Sequence, residues 1–315
     1  MLERTTISQP DRPPGILEHL SEGMSLVLAF PQLIAIPVLL DIYLLIGARI
    51  SPDVMTTRLG NWLVGRNGAN SVDAGEWVRG LGDWDMSRLL AFLMPSVMDG
   101  MKQEAIYRPF DRLAWSPSLP TAIVTGLGLL LIGSFIFTVY LVLLASQADM
   151  IRTESHSTMR LIIDRWGKVL ATTVVLTLVI GAISALVIVP GAVLSAGGMS
   201  TDTMVGLFAT VGFVVLVITM FVPESIVIDG SGPVEAVRVS AHVVFRFFWQ
   251  SAAFFAVSML ISPGLLSIWE RITGDPGGLG IAIVLNAVMV TSLSLASLAF
   301  YRARFDGVAP IQQSI

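Results

Sequence analysis

The chain has no cysteine and only three histidines, and each shortage closes off chemistry. Without cysteine there are no disulfides, no thiol catalysis, no iron–sulfur clusters and no cysteine-ligated zinc. His19, His156 and His242 stand far apart and form no His-x-x-x-His pair, so no histidine metal site is indicated. Charge is scarce as well: 13% of the 315 residues are charged, against roughly 25% in a soluble domain. The net charge is −4, and no basic run offers itself to a phosphate backbone, which argues against a nucleic-acid partner. The chain also lacks a Gly-x-Ser-x-Gly elbow, a phosphate-binding loop and a dinucleotide fingerprint. Ser231, flanked by Gly230 and Gly232, reads as a turn residue. Nothing supports an enzyme, and no cofactor is expected. The only lysines are Lys102 and Lys168; the arginine bias fits a GC-rich bacterial genome.

What is present is apolar. Hydrophobic residues make up 54% of the chain, and the mean hydropathy is +0.77. A helix needs about 20 apolar residues to cross a hydrocarbon core of about 30 Å. Six stretches qualify: Met24–Gly47, Thr121–Ala145, Val169–Leu194, Thr203–Val222, Phe247–Trp269 and Leu279–Phe300. Helices are the natural reading, because an open sheet edge in lipid leaves backbone groups unpaired. The expected fold is therefore all-α: a polytopic transmembrane bundle of about six spans with interfacial helices. The first span does not read as a cleaved signal peptide, since Glu18 and Glu22 precede a long apolar stretch.

Basic residues in short loops set the orientation. Arg152, Arg160, Arg165 and Lys168 lie between spans two and three, Arg238 and Arg246 between four and five, and Arg302 and Arg304 in the tail. The loops on the opposite side hold only Arg271. Both termini are expected in the cytoplasm, with the chain in a bacterial inner membrane. The eight basic residues of segment 48–120 do not overturn this, because loops longer than about 60 residues cross largely regardless of charge. Trp115, Trp166, Trp249 and Trp269 fall at or beside span ends, where indole favours the headgroup region.

Along the chain, residues 1–23 read as a cytoplasmic leader and interfacial helix, 24–47 as the first span, and 48–120 as an extracytoplasmic cap of interfacial helices. Within that cap the apolar run Leu89–Met98 is too short to span. Residues 121–302 read as a five-span bundle with cytoplasmic linkers at 147–168 and 223–246, and 303–315 as a tail. In the second linker Pro233 and Glu235 open an amphipathic helix, expected to lie on the inner surface. Arg165 with Pro190-Gly191 is echoed by Arg238 with Pro263-Gly264 at the same 25-residue separation.

The linker carries a resemblance. Pro223-Glu-Ser-Ile-Val-Ile-Asp229-Gly230, then Gly232-Pro-Val-Glu-Ala236, then Arg238-Val-Ser240, resembles a signature of prokaryotic six-helix membrane proteins. These include the membrane domain attached to some glycerophosphodiester phosphodiesterases and the related YciC-like proteins. The resemblance implies a fold in which a proline ends one span, an acidic-glycine turn follows and an Ala-x-x-x-Ser helix leads into the next span. It implies no reaction. The sequence departs from the pattern at Ala241 and His242, where an aromatic residue is usual.

Asp41 is the only carboxylate well inside these six stretches. An ionised Asp at the bilayer centre costs about 2.5–3.5 kcal/mol on insertion scales, so such residues face a bundle or a cavity. One reading is an ion or proton site, with Pro37 freeing the carbonyl of Leu33 as a second ligand. The other is a structural Asp near the outer interface, hydrogen-bonded to a neighbouring Tyr or Ser. Small residues Ser292, Ala296 and Ala299 share one face of span six and suit close helix contact, within the chain or between chains. Together these features lead to a non-catalytic accessory or scaffold subunit with membrane lipids and protein partners around it. The alternative is a transporter of a small molecule, ion or lipid with Asp41 in its pathway.

Overall fold

A computed structural model describes residues 15–67, 114–151, 158–196 and 201–305, and most of 76–100. Helices build it: α1 (Ile16–Ala29), α2 (Ala35–Ile46), α3 (Asp53–Asn67), α4 (Val97–Gly100), α5 (Leu119–Gln147), α6 (Thr158–Ala196), α7 (Thr201–Thr219), α8 (Val222–Asp229), α9 (Pro233–Arg246), α10 (Phe248–Ile272) and α11 (Pro276–Phe305). The strands among the described residues are a two-residue parallel pair, β1 (Arg49–Ile50) with β2 (Ala114–Trp115). The all-α class holds.

Four segments are long and apolar enough to cross a membrane: Leu119–Gln147, Gly212–Asp229, Phe248–Ile272 and Pro276–Phe305. A fifth arises if α1 and the stretch Pro31–Ile46 count as one. Helix α6 runs unbroken over 39 residues, but many of its side chains lie outside the described residues and it is not among the four. Below, the end of the bundle where α5, α8 and α11 finish is called the linker end, and the other the loop end.

The expected first span, 24–47, is not one straight helix. α1 stops at Ala29, a 3-10 turn covers Pro31–Ile34, and the two helices meet at 99°. Proline explains the break, because Pro31 has no N–H to continue the α1 ladder and suits the first position of a new turn. Residues 16–23 open α1, which buries one face and leaves the other exposed. It runs antiparallel along the last third of α11: His19 sits edge-on to Phe300 with ring centroids 5.8 Å apart, and Gly23 meets Ser292 and Ala296. A Cβ at Gly23 would lie 2.3 Å from the Ser292 carbonyl oxygen. Lipid tails are as apolar as leucine, so such helices associate by close van der Waals contact, which small residues permit. The small-residue face of α11 is thus occupied within the chain.

Within segment 48–120, several of the described residues 85–98 join the core of the bundle. A 3-10 helix over Met86–Ala91 descends beside α5, with Met86 against Gly126 and the Leu89 and Leu90 carbonyls against Gly133, midway along α5. A Cβ on Gly133 would be 2.7 Å from the Leu90 oxygen. Met86, Leu90, Ala91, Met94, Val97 and Met98 are buried in one cluster with residues of α2, α5 and α11. Irregular backbone at such depth is tolerated only where protein buries it and satisfies its polar groups. Asp85 does so at the entry: its Oδ1 accepts from Ser87 N–H at 3.0 Å, Ser87 Oγ at 2.7 Å and Ile50 N–H at 3.2 Å.

The tryptophans divide. Trp249 is 82% exposed, as an interfacial anchor would be, whereas Trp269 is 5% exposed and belongs to the core. Trp166 donates Nε1–H to Ser134 Oγ at 3.1 Å, so its indole bonds within the bundle.

Candidate functional site at the linker end

The expected span four ends at Val222 because Pro223 follows. In the structure the apolar segment continues to Asp229. α7 stops at Thr219 and α8 starts at Val222, with Pro223 in the first turn of α8, where a missing N–H costs nothing. Ser240 on α9 bridges the interruption. Its hydroxyl donates to the Ile218 carbonyl at 2.6 Å and accepts the Phe221 N–H at 3.1 Å. Both backbone groups orphaned by the break are satisfied by one buried side chain. Ala236, one turn earlier on α9 and fully buried, shares its face.

Extending the segment to Asp229 adds carboxylates, which corrects the reading of Asp41 as the only one in a span. Glu224 is buried, its Oε1 accepts from Ser297 Oγ at 2.6 Å, and its Oε2 has no hydrogen-bond partner. Asp229, the last residue of α8, accepts a short hydrogen bond from the Tyr301 hydroxyl. Gly230 then reverses the chain at φ 72°, the left-handed C′ geometry that glycine adopts without strain. A side chain is excluded there for a second reason: a Cβ would lie 1.5 Å from Arg165 Nη1. Gly232 serves as the N-cap of α9, and Arg238 is exposed.

Around this turn lies a cavity of about 380 Å³. Its polar lining is Arg165, Asp229, Tyr301 and Arg302, and its apolar lining Met150, Ile151, Leu161, Ile228 and Phe305. Arg302 donates from Nη1 to the carbonyl of Asp149 at 2.7 Å. Asp149 itself adopts a left-handed φ of 52° just past α5, a conformation that Asp tolerates better than most residues. Arg165 lies flat against Gly230, with Asp164 Oδ2 3.9 Å from Nη1 and no hydrogen-bond partner on its buried Nε. Lys168 reaches Asp164 Oδ2 at 2.8 Å and the Gly230 carbonyl at 3.0 Å. No match was found. No protein-family model matches the chain, and neither does any curated protein or solved structure. The site therefore rests on its own chemistry.

Asp41 lies away from this cavity, in the loop-end half. It is 1% exposed. Ser96 Oγ donates a short hydrogen bond to Oδ1, and the N–H groups of Met98 and Val97 point at Oδ1 and Oδ2, each at 3.5 Å. The carboxylate thereby faces the start of α4. The structure does not bring Asp41 together with the signature residues of the linker. Among the described residues no group of three or more His, Asp or Glu side chains has metal-binding spacing; His156 lies outside them. Sequence reasoning missed Arg165, Tyr301 and Glu224 as site residues. The signal for Arg165 was its place on a helix opposite an acidic-glycine turn, which becomes legible only once the two segments are packed.

Proposed function

We propose that the chain is a multi-pass protein of a bacterial cytoplasmic membrane, with six crossings and both termini inside, that acts without catalysis as an accessory or scaffold subunit through protein partners. To the four long apolar segments the bent α1–α2 pair and α6 add the remaining two crossings. The likeness of the 223–240 linker to the membrane domain of some glycerophosphodiester phosphodiesterases and to the YciC-like proteins belongs to the same reading.

One observation carries it. The buried Asp41 carboxylate accepts from Ser96 Oγ and faces the Val97 and Met98 N–H groups, which ties α2 to the segment before α4, an arrangement suited to holding a fold. The test is the native size of the protein extracted gently from its own membranes, with mass spectrometry of what accompanies it. A large assembly with stoichiometric partners is expected; a lone monomer or homodimer overturns the accessory role.

A transporter is the second reading, favoured by the interrupted backbone of residues 85–98 deep in the bundle, since broken segments often line transport sites. Asp41→Asn separates the two. Under the architectural reading the variant loses folded protein on heating earlier than the parent. Under the transport reading it stays folded and loses ion- or proton-coupled uptake in proteoliposomes.

A further inference from the structure

Glu224 is a buried group that the packing of the fold leaves unexplained. It lies within the apolar segment Gly212–Asp229 and is 7% exposed. Its side-chain partner is Ser297, whose hydroxyl donates to Oε1 at 2.6 Å. Oε2 has no hydrogen-bond partner, and among the described residues no ion pair reaches the carboxyl. A glutamine would accept the same bond without the desolvation that a carboxylate suffers when no charge offsets it. Ionisable groups inside a span are rare and mark ion paths or proton relays. A metal ion is a poor fit here. Oε2 is enclosed, and among the described residues no group of three or more His, Asp or Glu side chains has metal-binding spacing. A proton needs neither a cavity nor a ligand set.

The seam between α8 and α11 gives such a proton a way out. Ser297 lies one turn before Tyr301 on α11, and Glu224 just over one turn before Asp229 on α8. The two carboxyl–hydroxyl pairs therefore stack along one seam, and the outer pair, Asp229 with Tyr301, borders the linker-end cavity. The charges of α6 gather at that outer end, where Asp164, Arg165 and Lys168 meet at Gly230. On the other elements against α8, the charged side chains of α9 are exposed and Tyr140 of α5 is bonded to Thr291. Arg302 and Arg304 stand in the last turn of α11, past Tyr301.

We propose that Glu224 is a proton-binding site that exchanges with the linker end past Asp229 and Tyr301. Release breaks the Glu224 O–H bond, leaves the electron pair on the carboxylate and delivers the proton to water at the linker end. Uptake is the reverse. The site goes beyond the accessory and the transport readings and depends on neither.

The experiment follows the full chain in lipid by infrared spectroscopy as the pH is stepped from about 6 to about 9, a range in which water-exposed carboxyls stay ionised. A carboxylic-acid carbonyl band is expected at the low end and is expected to fade toward the high end. Glu224→Gln is expected to abolish it, and Asp41→Asn to leave it in place. Ser297→Ala keeps the carboxyl but removes its hydrogen bond, so there the band is expected to move; this variant is read if Glu224→Gln fails to fold. A parent without the band at the low end overturns the site. A band that persists unchanged at the high end overturns the exchange. A band that survives Glu224→Gln, or one that Asp41→Asn removes, puts the proton elsewhere and overturns the proposal.

Discussion

The two ends of the bundle use polar side chains differently. At the loop end, the Asp41 and Asp85 carboxylates each face backbone N–H groups as well as a neighbouring serine hydroxyl, and Ser51 Oγ donates to the Gly82 carbonyl at 2.7 Å. At the linker end the carboxylates face hydroxyls, Tyr301 on Asp229 and Ser297 on Glu224, while Ser240, Lys168 and Arg302 reach backbone carbonyls. There some buried atoms lack partners, on His19, Arg165 and Glu224. Trp269 Nε1 is a counterexample at the loop end. The contrast teaches where to look for ligands. Polar groups consumed by backbone maintain a shape, whereas buried polar atoms left over mark where something else completes the structure.

Substitutions can break this contrast. The largest effect is expected from Gly133→Leu, which drives a branched side chain into the Leu89–Leu90 carbonyls. The cost should be about 3 kcal/mol or more, read as loss of monodisperse protein by size-exclusion chromatography after extraction. Ser240→Ala comes next. It strands the Ile218 carbonyl and the Phe221 N–H at the α7–α8 break and should cost about 1–3 kcal/mol in thermal unfolding. Retention of full stability would mean that the break needs no external partner. Gly230→Ala sharpens the linker end, since it strains a left-handed turn and displaces Arg165. A cost of about 1–2 kcal/mol in thermal unfolding is expected, and unchanged stability would mean that the turn has room for a side chain. Arg238→Ala is the control. The side chain is exposed, and a change within about 0.5 kcal/mol is expected, although it belongs to the linker signature.

Much of the helical plan was legible in the sequence because span length and hydropathy are local properties. Leu119–Gln147 and Pro276–Phe305 each contain an expected span, and Phe248–Ile272 covers Phe247–Trp269 but for its first residue. What was not legible depended on partners. The run Leu89–Met98 reads the same whether it floats at an interface or enters the bundle; only Gly126 and Gly133 on another helix make room for it. Pro223 reads as a stop signal, and nothing local reveals that Ser240, far along the chain, closes the gap it leaves. The small face of α11 was visible at Ser292 and Ala296, but its partner is Gly23, a single glycine with no pattern around it. Of the linker signature, Ser240, Gly230 and Asp229 acquire physical roles in the structure. Asp41 was visible as an oddity, and its neighbour Ser96 was not.

The antiparallel seat of α1 on α11 has a consequence for biosynthesis. α1 takes as its neighbour a helix made long after it, so the chain must be synthesised as far as α11 before Gly23 finds Ser292 and Ala296. Contacts of such sequence separation are the slowest to form. Until then the α1 face carrying His19 and Gly23 is uncovered, and a chain stopped short of Ser292 never covers it. Closure of the α1 face is thereby coupled to synthesis of α11, and a nascent chain with that face still open is what a membrane quality-control protease would meet.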